Sequence, residues 1–496
     1  MLTRRQFLIG STAVAGWSAA CVRPLSPPGP IWVNDVHAQL SRTPVDRVVR
    51  VESLDAVRAA IRDAATRGKA ISIVGGRHAM GGQQFGAGTV LLDTTAMRRV
   101  LRFDPDRGQI EVEAGIQWPE LVEYLITAQR GRPHPWGIVQ KQTGADRLSI
   151  GGALSANVHG RGLRLKPFIA DVDSFVLVDA ESAPRACSRT VNPELFRLAI
   201  GGYGLFGVIA SVTLRLAPRR KLQRMVEVIE TERLTSAFEQ RIADGFLFGD
   251  FQYATDLTSD DGLRRGVFSC YRPVDDATSM PETQKELSVG DWTRLLYLSH
   301  ADKQRAFELY ASYYVSTSGQ LYWSDTHQLG VYIDDYHRSL DQQLGATERA
   351  TEMITEIYVP RGALPRFLAD VREDFRANRV ELIYGTIRLI ERDDESFLAW
   401  AREPYACVIF NLHVVHSPAG LERSSQDFRR LIDLGIRHGG SYYLTYHRWA
   451  TRDQVEACYP QFPEFLRLKR RYDSEERFQS DWYRHYARMF ADRSSR

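Results

Sequence analysis

A short apolar strand that runs straight into a glycine-rich loop constrains this chain more than any other feature. Ile71, Ile73 and Val74 read as a buried strand, and Gly75, Gly76, Gly81 and Gly82 follow within eight residues. Glycine takes positive φ at little cost and has no side chain to block approach. A loop of this composition can therefore turn its backbone N–H groups toward one anion. Phosphate is the expected anion, and Arg77 adds a guanidinium suited to it. The loop lacks the Gly-Lys-Ser/Thr ending of a nucleoside triphosphatase, and no Rossmann glycine fingerprint opens a helix here. A histidine, His78, stands in the middle of the cradle.

Two further stretches repeat the theme. From Ser149 to Gly160 the chain is crowded with Gly, Ala and Ser, which suits close backbone approach to a flat ring. Gly201, Gly202, Gly204 and Gly207 then lead into an alternating strand at 212–216. The three motifs, in this order and spacing, resemble the FAD-linked oxidase superfamily typified by vanillyl-alcohol oxidase. Its members include aldonolactone and alditol oxidases, cytokinin dehydrogenases and decaprenylphosphoryl-ribose oxidases. The resemblance implies that the first loop binds the FAD pyrophosphate through Val74, Gly75, Gly76, Arg77, His78, Ala79, Met80, Gly81 and Gln83. It assigns further cofactor contacts to Thr143, Ser149, Ile150, Gly152, Ser155, Ala156, His159 and Gly160, and then to Gly204, Gly207, Val208 and Ile209. It also implies a covalent link from His78 to the flavin 8α-methyl. A second link through cysteine is not expected, because no cysteine falls between Cys21 and Cys187.

The implied fold class is α+β: a two-subdomain, PCMH-type FAD-binding domain, a substrate (cap) domain with an antiparallel sheet, and a C-terminal segment returning to the flavin. The corresponding boundaries are 1–38 for a signal and Pro-rich linker, 39–220 for the FAD-binding domain, 221–440 for the cap and 441–496 for the C-terminal segment. Local patterns suit that order. Leu54, Val57, Ala60, Ile61 and Ala64 recur at helical spacing, 90–93 and 109–114 read as strands, and Trp118-Pro119 opens a helix. In the cap, a helix over 364–377 carries Phe367, Leu368, Val371 and Phe375 on one face, and 381–389 and 408–410 read as strands. Tyr310, Tyr313, Tyr314, Tyr322 and Trp323 read as core or domain interface rather than a substrate platform.

At 496 residues the chain is too long for one simple core, and two domains are the natural expectation. A net charge of +3 is nearly neutral for this length, which argues against nucleic acid as a partner. The five cysteines are scattered singly, with no Cys-x-x-Cys and so no zinc or redox motif; a disulfide among the last four has no support. His413-x-x-His416 has no third ligand nearby in sequence, so no metal is expected. Arg4-Arg5 followed by an apolar stretch from Leu8 to Ala20 resembles a twin-arginine export signal, implying the periplasm or cell envelope. Ser18-Ala19-Ala20-Cys21 fits either a lipoprotein site or a simple signal-peptidase cut. A lipid at Cys21 is the one membrane contact anticipated.

The C-terminal segment holds the catalytic candidates. The resemblance brings residues 442–449 back to the active site, and Tyr446 stands where decaprenylphosphoryl-ribose oxidases carry a lysine. Read as a strand, the segment places Tyr446 and Arg448 on one face, with the arginine lowering the phenol's pKa. His159, beside the ring by resemblance, is the third candidate. The expected activity is oxidation of a C–OH group on a sugar, polyol, lactone or similar small molecule, with O2 or a redox-chain carrier as electron acceptor. Oxidation of a C–N bond, and a flavin electron-transfer protein without its own organic substrate, stay open beside it.

Overall fold

The computed structural model describes residues 29–491 apart from 331, 332 and 334; the twin-arginine stretch and Cys21 lie outside the described residues. Strands and helices mix throughout, as an α+β reading requires. Near the N-terminus the strand Val90–Asp93 lies between Arg47–Arg50 and Ile71–Val74, all parallel. The helix Leu54–Thr66 carries the chain from Arg47–Arg50 across to Ile71–Val74 at the other edge, and the glycine loop then leads to the central strand between them. Ser53 caps that helix by accepting from the Ala56 N–H, and Val57, Ala60, Ile61 and Ala64 form its buried stripe. Next comes an antiparallel sheet of five strands in the order Pro184–Ser188, Val172–Val178, Val208–Arg215, Gln109–Glu113, Val100–Asp104.

The second half of the chain, termed the cap from its place in the sequence, holds one eight-stranded antiparallel sheet that runs from Leu321–Trp323 at one edge to Ser441–Tyr442 at the other. Its centre holds Leu382–Ile390, Tyr405–Val415 and Ala350–Pro360 side by side. The helices Leu364–Asn378 and Pro418–Arg437 pack on it, burying Phe367, Val371 and Phe375 and Phe428, Leu431 and Ile432. The anticipated Tyr310–Trp323 cluster is packing: Tyr310 stacks on Tyr314, and the Arg224 guanidinium lies against Tyr271, Tyr314 and Tyr322. Cys187, Cys270, Cys407 and Cys458 are buried and free, so no disulfide forms among the described residues.

The C-terminal segment closes back on the first sheet. Phe478 bridges to Ile71, whose N–H donates to Arg477 and whose carbonyl accepts from Gln479. Phe478 joins the apolar cluster of the parallel sheet, between Ile61, Ile71 and Leu92. One expectation needs correction here. Residues 442–449 are not a strand: only Ser441–Tyr442 pairs, with Ile357 and Tyr358, and the chain then turns. Its carbonyls are claimed by side chains instead, since Gln83 donates to Leu444 and Thr445 and the Trp482 indole donates to Leu444. An apolar, aromatic run reads as a strand until such partners take its ladder groups.

Candidate active site

A cavity of about 210 Å³, partly open to solvent, lies where the first loop, the helix Ile150–Ala156 and the cap sheet converge. Glycines make the floor possible. A Cβ on Gly75 would overlap the Ser149 hydroxyl, and one on Gly76 would overlap the Arg147 carbonyl and press to 2.9 Å on His78 Cδ2. Gly151 lies over Ala114 with no room for a methyl, at 2.8 Å from the Ala114 Cβ. Three buried side-chain atoms on the lining, Gln83 Oε1, Gln84 Oε1 and Thr143 Oγ1, have no hydrogen-bond partner within the protein. Buried polar atoms without partners are rare unless a bound group satisfies them. Glycine floor and orphaned polar atoms together fit a dinucleotide such as FAD.

His78 reaches the lining with Nδ1 2.9 Å from His37 Nε2. Burial, with Arg147 adding to it, lowers its pKa to about 4, and burial with His78 and His337 lowers that of His37 to about 3. Both rings are therefore neutral near pH 7.

The cap contributes the opposite wall through Ile354, Glu356 and Arg388, with Tyr443, Thr445 and Tyr446 from the following turn. Glu356 is fully enclosed and accepts hydrogen bonds from Tyr446 at 2.6 Å, Tyr358 at 2.8 Å and His159 Nε2 at 2.8 Å. Burial pushes its pKa up, but His159, the Tyr446 hydroxyl and the Arg388 charge outweigh that and bring it to about 2. The same contacts drive the Tyr446 phenol well above its ordinary value, burial first and the Glu356 charge second. The anticipated lowering by Arg448 is thus reversed. Arg448 does not line the cavity; its guanidinium lies 3.5 Å from the Cβ position of Gly82, on the far side of the loop.

Other anticipated residues divide in the same way. Gly75, Gly76, Arg77, His78, Ala79, Met80, Gln83, Thr143, Ser149, Gly152, Ser155, Ala156, His159, Gly204, Gly207 and Ile209 line the cavity along with Tyr446. Val74, Gly81, Ile150, Gly160 and Val208 do not; they stand behind the lining, with Val74, Ile150 and Val208 buried in the core. Sequence reasoning missed His37, Tyr203, Ile354, Glu356 and Arg388. Alternation along Ala350–Pro360 could have flagged Ile354 and Glu356 as sharing one face.

The tight floor gives one quantitative expectation. Gly76→Ala must displace the Arg147 carbonyl or the His78 ring, an overpacking cost of about 1–3 kcal/mol. Flavin content of the purified variant should fall by about tenfold or more, read from the ratio of visible to protein absorbance.

Residues 45–187 match the FAD binding domain family. An uncharacterized oxidoreductase (ORF5 in fasciation locus) of Rhodococcoides fascians is 31% identical over 195 residues, 39% of this chain and 42% of that protein. The chain therefore spans less than half of that relative. The L-gulono-1,4-lactone dehydrogenase of Mycobacterium tuberculosis is 26% identical over 467 residues, 92% of this chain and 98% of that one. The mitochondrial L-galactono-1,4-lactone dehydrogenase of Arabidopsis thaliana is 33% identical over 136 residues, 27% of this chain and 20% of that protein.

Proposed function

The chain belongs to the FAD-linked oxidase superfamily, and from that premise we propose that it oxidises a C–OH group of a sugar, polyol, lactone or similar small molecule. The observation that carries this reading is the Glu356–Tyr446–Arg388 wall facing the glycine floor across one cavity. Support also comes from the two lactone dehydrogenases among its relatives. A two-subdomain PCMH-type arrangement is part of the proposal, and the separate three-stranded and five-stranded sheets, each with residues on the lining, support it.

FAD, when bound, would supply the acceptor for the hydride leaving the substrate carbon. Gly75, Gly76, Gln83, Thr143, Ser149 and Gly152 on the lining would hold it. Arg388 faces the substrate oxygen and stabilises negative charge that develops there as its proton leaves. Tyr446 accepts that proton while passing its own to Glu356 Oε1 at 2.6 Å, since its raised pKa forbids a free phenolate. His159 and Tyr358 hold the carboxylate in place. Anaerobic mixing of the purified flavoprotein with sugars, polyols, lactones and amines tests the reading. Bleaching by a hydroxyl compound supports it, and bleaching by amines alone, or by none of the panel, removes it.

Attachment of FAD through His78 is part of the proposal. Support comes from the neutral, nucleophilic state of the ring and from His37, which fixes its orientation through Nδ1. On acid precipitation the yellow colour should stay with the pellet, and His78→Ala should release it to the supernatant. Export by the twin-arginine route rests on Arg4-Arg5 and the apolar stretch behind it, and fractionation should recover the flavoprotein outside the cytoplasm.

A further inference from the structure

Histidines gather at one end of the cap sheet to an unusual degree. Glu352 and His413 are direct partners on the neighbouring strands Ala350–Pro360 and Tyr405–Val415, so both side chains leave the same face of the sheet. Above that face the helix Val289–Ala301 brings His300 in its last turn, and the helix Tyr336–Leu344 brings His337 in its first. Glu352 Oε1 lies 2.9 Å from His300 Nε2, and Oε2 lies 2.9 Å from His337 Nδ1. The ligand atoms of His300, Glu352 and His413 are all within 4.8 Å of one another. The side chains of Glu352, His300 and His337 are 4%, 5% and 9% exposed, so water does not solvate this group.

The contacts are close, yet they are not hydrogen bonds. His300 Nε2, His337 Nδ1 and His413 Nδ1 are each buried without a partner in hydrogen-bond geometry. The Glu352 oxygens sit at bonding distance but off the axis of the ring nitrogens. Buried imidazole nitrogens left in that condition are destabilising unless a ligand satisfies them. The donor atoms of His300, Glu352 and His413 converge on one point in this way, and His337 stands just outside that group, against the other carboxylate oxygen of Glu352. The carboxylate–histidine group around Glu356 behaves differently. His159 Nε2 makes a well-formed hydrogen bond to Glu356, and Cys407 Sγ donates to the same carboxylate, so that set is satisfied internally.

We propose that His300, His337, His413 and Glu352 bind one divalent transition-metal ion, with zinc the best match. Three imidazoles and one carboxylate make a closed four-donor set of the kind zinc takes in tetrahedral sites. Nitrogen donors select zinc, copper, nickel or cobalt over calcium and magnesium, which need oxygen shells. Tetrahedral bonds of about 2.0–2.2 Å put the donors roughly 3.4 Å apart, so the 2.9 Å contacts of Glu352 open slightly, the wider ones close from at most 4.8 Å, and His337 swings in from the second carboxylate oxygen by side-chain rotation. Tyr336 supplies the supporting contact, its hydroxyl donating to Glu352 Oε2 at 2.5 Å. The ion would fasten two helices to the sheet from above. The separation of His413 and His416 in sequence gives no hint of it, because the remaining donors come from other elements.

The test uses the full-length, flavin-loaded protein after dialysis against a chelator. Calorimetric titration with ZnCl2 should show about one equivalent bound per chain, and metal analysis should return the same stoichiometry. Glu352→Gln and His413→Ala should each weaken zinc binding by about 100-fold while the flavin spectrum is unchanged. No stoichiometric uptake by the native sequence, or unchanged affinity in both variants, overturns the site. If a variant does not fold, the native protein decides the matter with Co2+ in place of zinc. Tetrahedral d–d absorption with no thiolate charge-transfer band supports the assignment, and a thiolate band would put the ion at Cys407 and overturn it.

Discussion

Replacing Glu356 with glutamine should slow anaerobic flavin reduction by the best hydroxyl substrate about 10²- to 10⁴-fold, with the flavin still bound. The change keeps the shape of the side chain and removes its charge. Tyr446, Tyr358 and His159 all spend a hydrogen bond on this carboxylate, so its charge organises the whole wall of the cavity. A neutral amide cannot receive the proton that Tyr446 passes on, and it offers an N–H where a lone pair is needed. Rapid mixing under nitrogen gives the measurement, because it isolates reduction from whatever reoxidises the flavin. A rate within about twofold of the native protein would take Glu356 out of the mechanism. Tyr446→Phe should lower the same rate, since it breaks the relay at its first atom.

The pKa of Glu356 adds a pH signature. Its ordinary value of 4.5 falls to about 2 in the folded protein, so it is ionised throughout the neutral range. The rate of reduction should show no limb from this group between about pH 5 and 8. A depressed carboxylate pKa stabilises the fold above the unfolded value. That contribution is complete above about pH 4.5 and is lost as pH falls toward 2. Acid unfolding followed by tryptophan fluorescence should begin at higher pH in the native protein than in Glu356→Gln, relative to each one's stability at neutrality.

Much of the cofactor half was legible from residue types because glycine records backbone geometry directly. Gly75, Gly76 and Gly207 stand where a Cβ would meet Ser149, Arg147 or Leu177, and such contacts leave a mark in sequence. Strands and helices with strong periodicity, such as Leu54–Thr66 and Leu364–Asn378, were read to within a few residues. The cap side of the site was not legible. Glu356 and Arg388 come from different strands of a sheet whose order follows no local pattern, and each alone is an ordinary charged residue in an apolar strand. Arg448 failed for a related reason. Its alternation with Tyr446 presumed a strand, while Gln83 and Trp482, distant in sequence, turned that segment into a loop.

The largest effect on stability should come from Asp473→Ala, at about 3–5 kcal/mol. Asp473 and Lys469 pair one turn apart with side chains 1% and 0% exposed, and burial lowers the Lys469 pKa against the pull of the carboxylate. Removing the acid leaves an ammonium enclosed beside the Tyr483 ring with only the Glu476 carboxylate left to oppose its charge. The damage extends to backbone. Asp473 Oδ1 accepts from the Arg477 N–H at 2.7 Å and Oδ2 from the Phe478 N–H at 2.8 Å, which sets the chain that bridges to Ile71. Ile71–Val74 is the strand that carries the glycine loop, so the variant should lose flavin as well as stability. Urea unfolding monitored by flavin and tryptophan signals separates the two effects. A double change, Lys469→Met with Asp473→Leu, removes both charges together and should recover part of the stability, because an apolar pair avoids the unpaired ammonium. It should not recover flavin binding in the same proportion, since leucine cannot accept from Arg477 and Phe478. Equal recovery of both would mean that the charge pair alone, and not the backbone it holds, positions the loop.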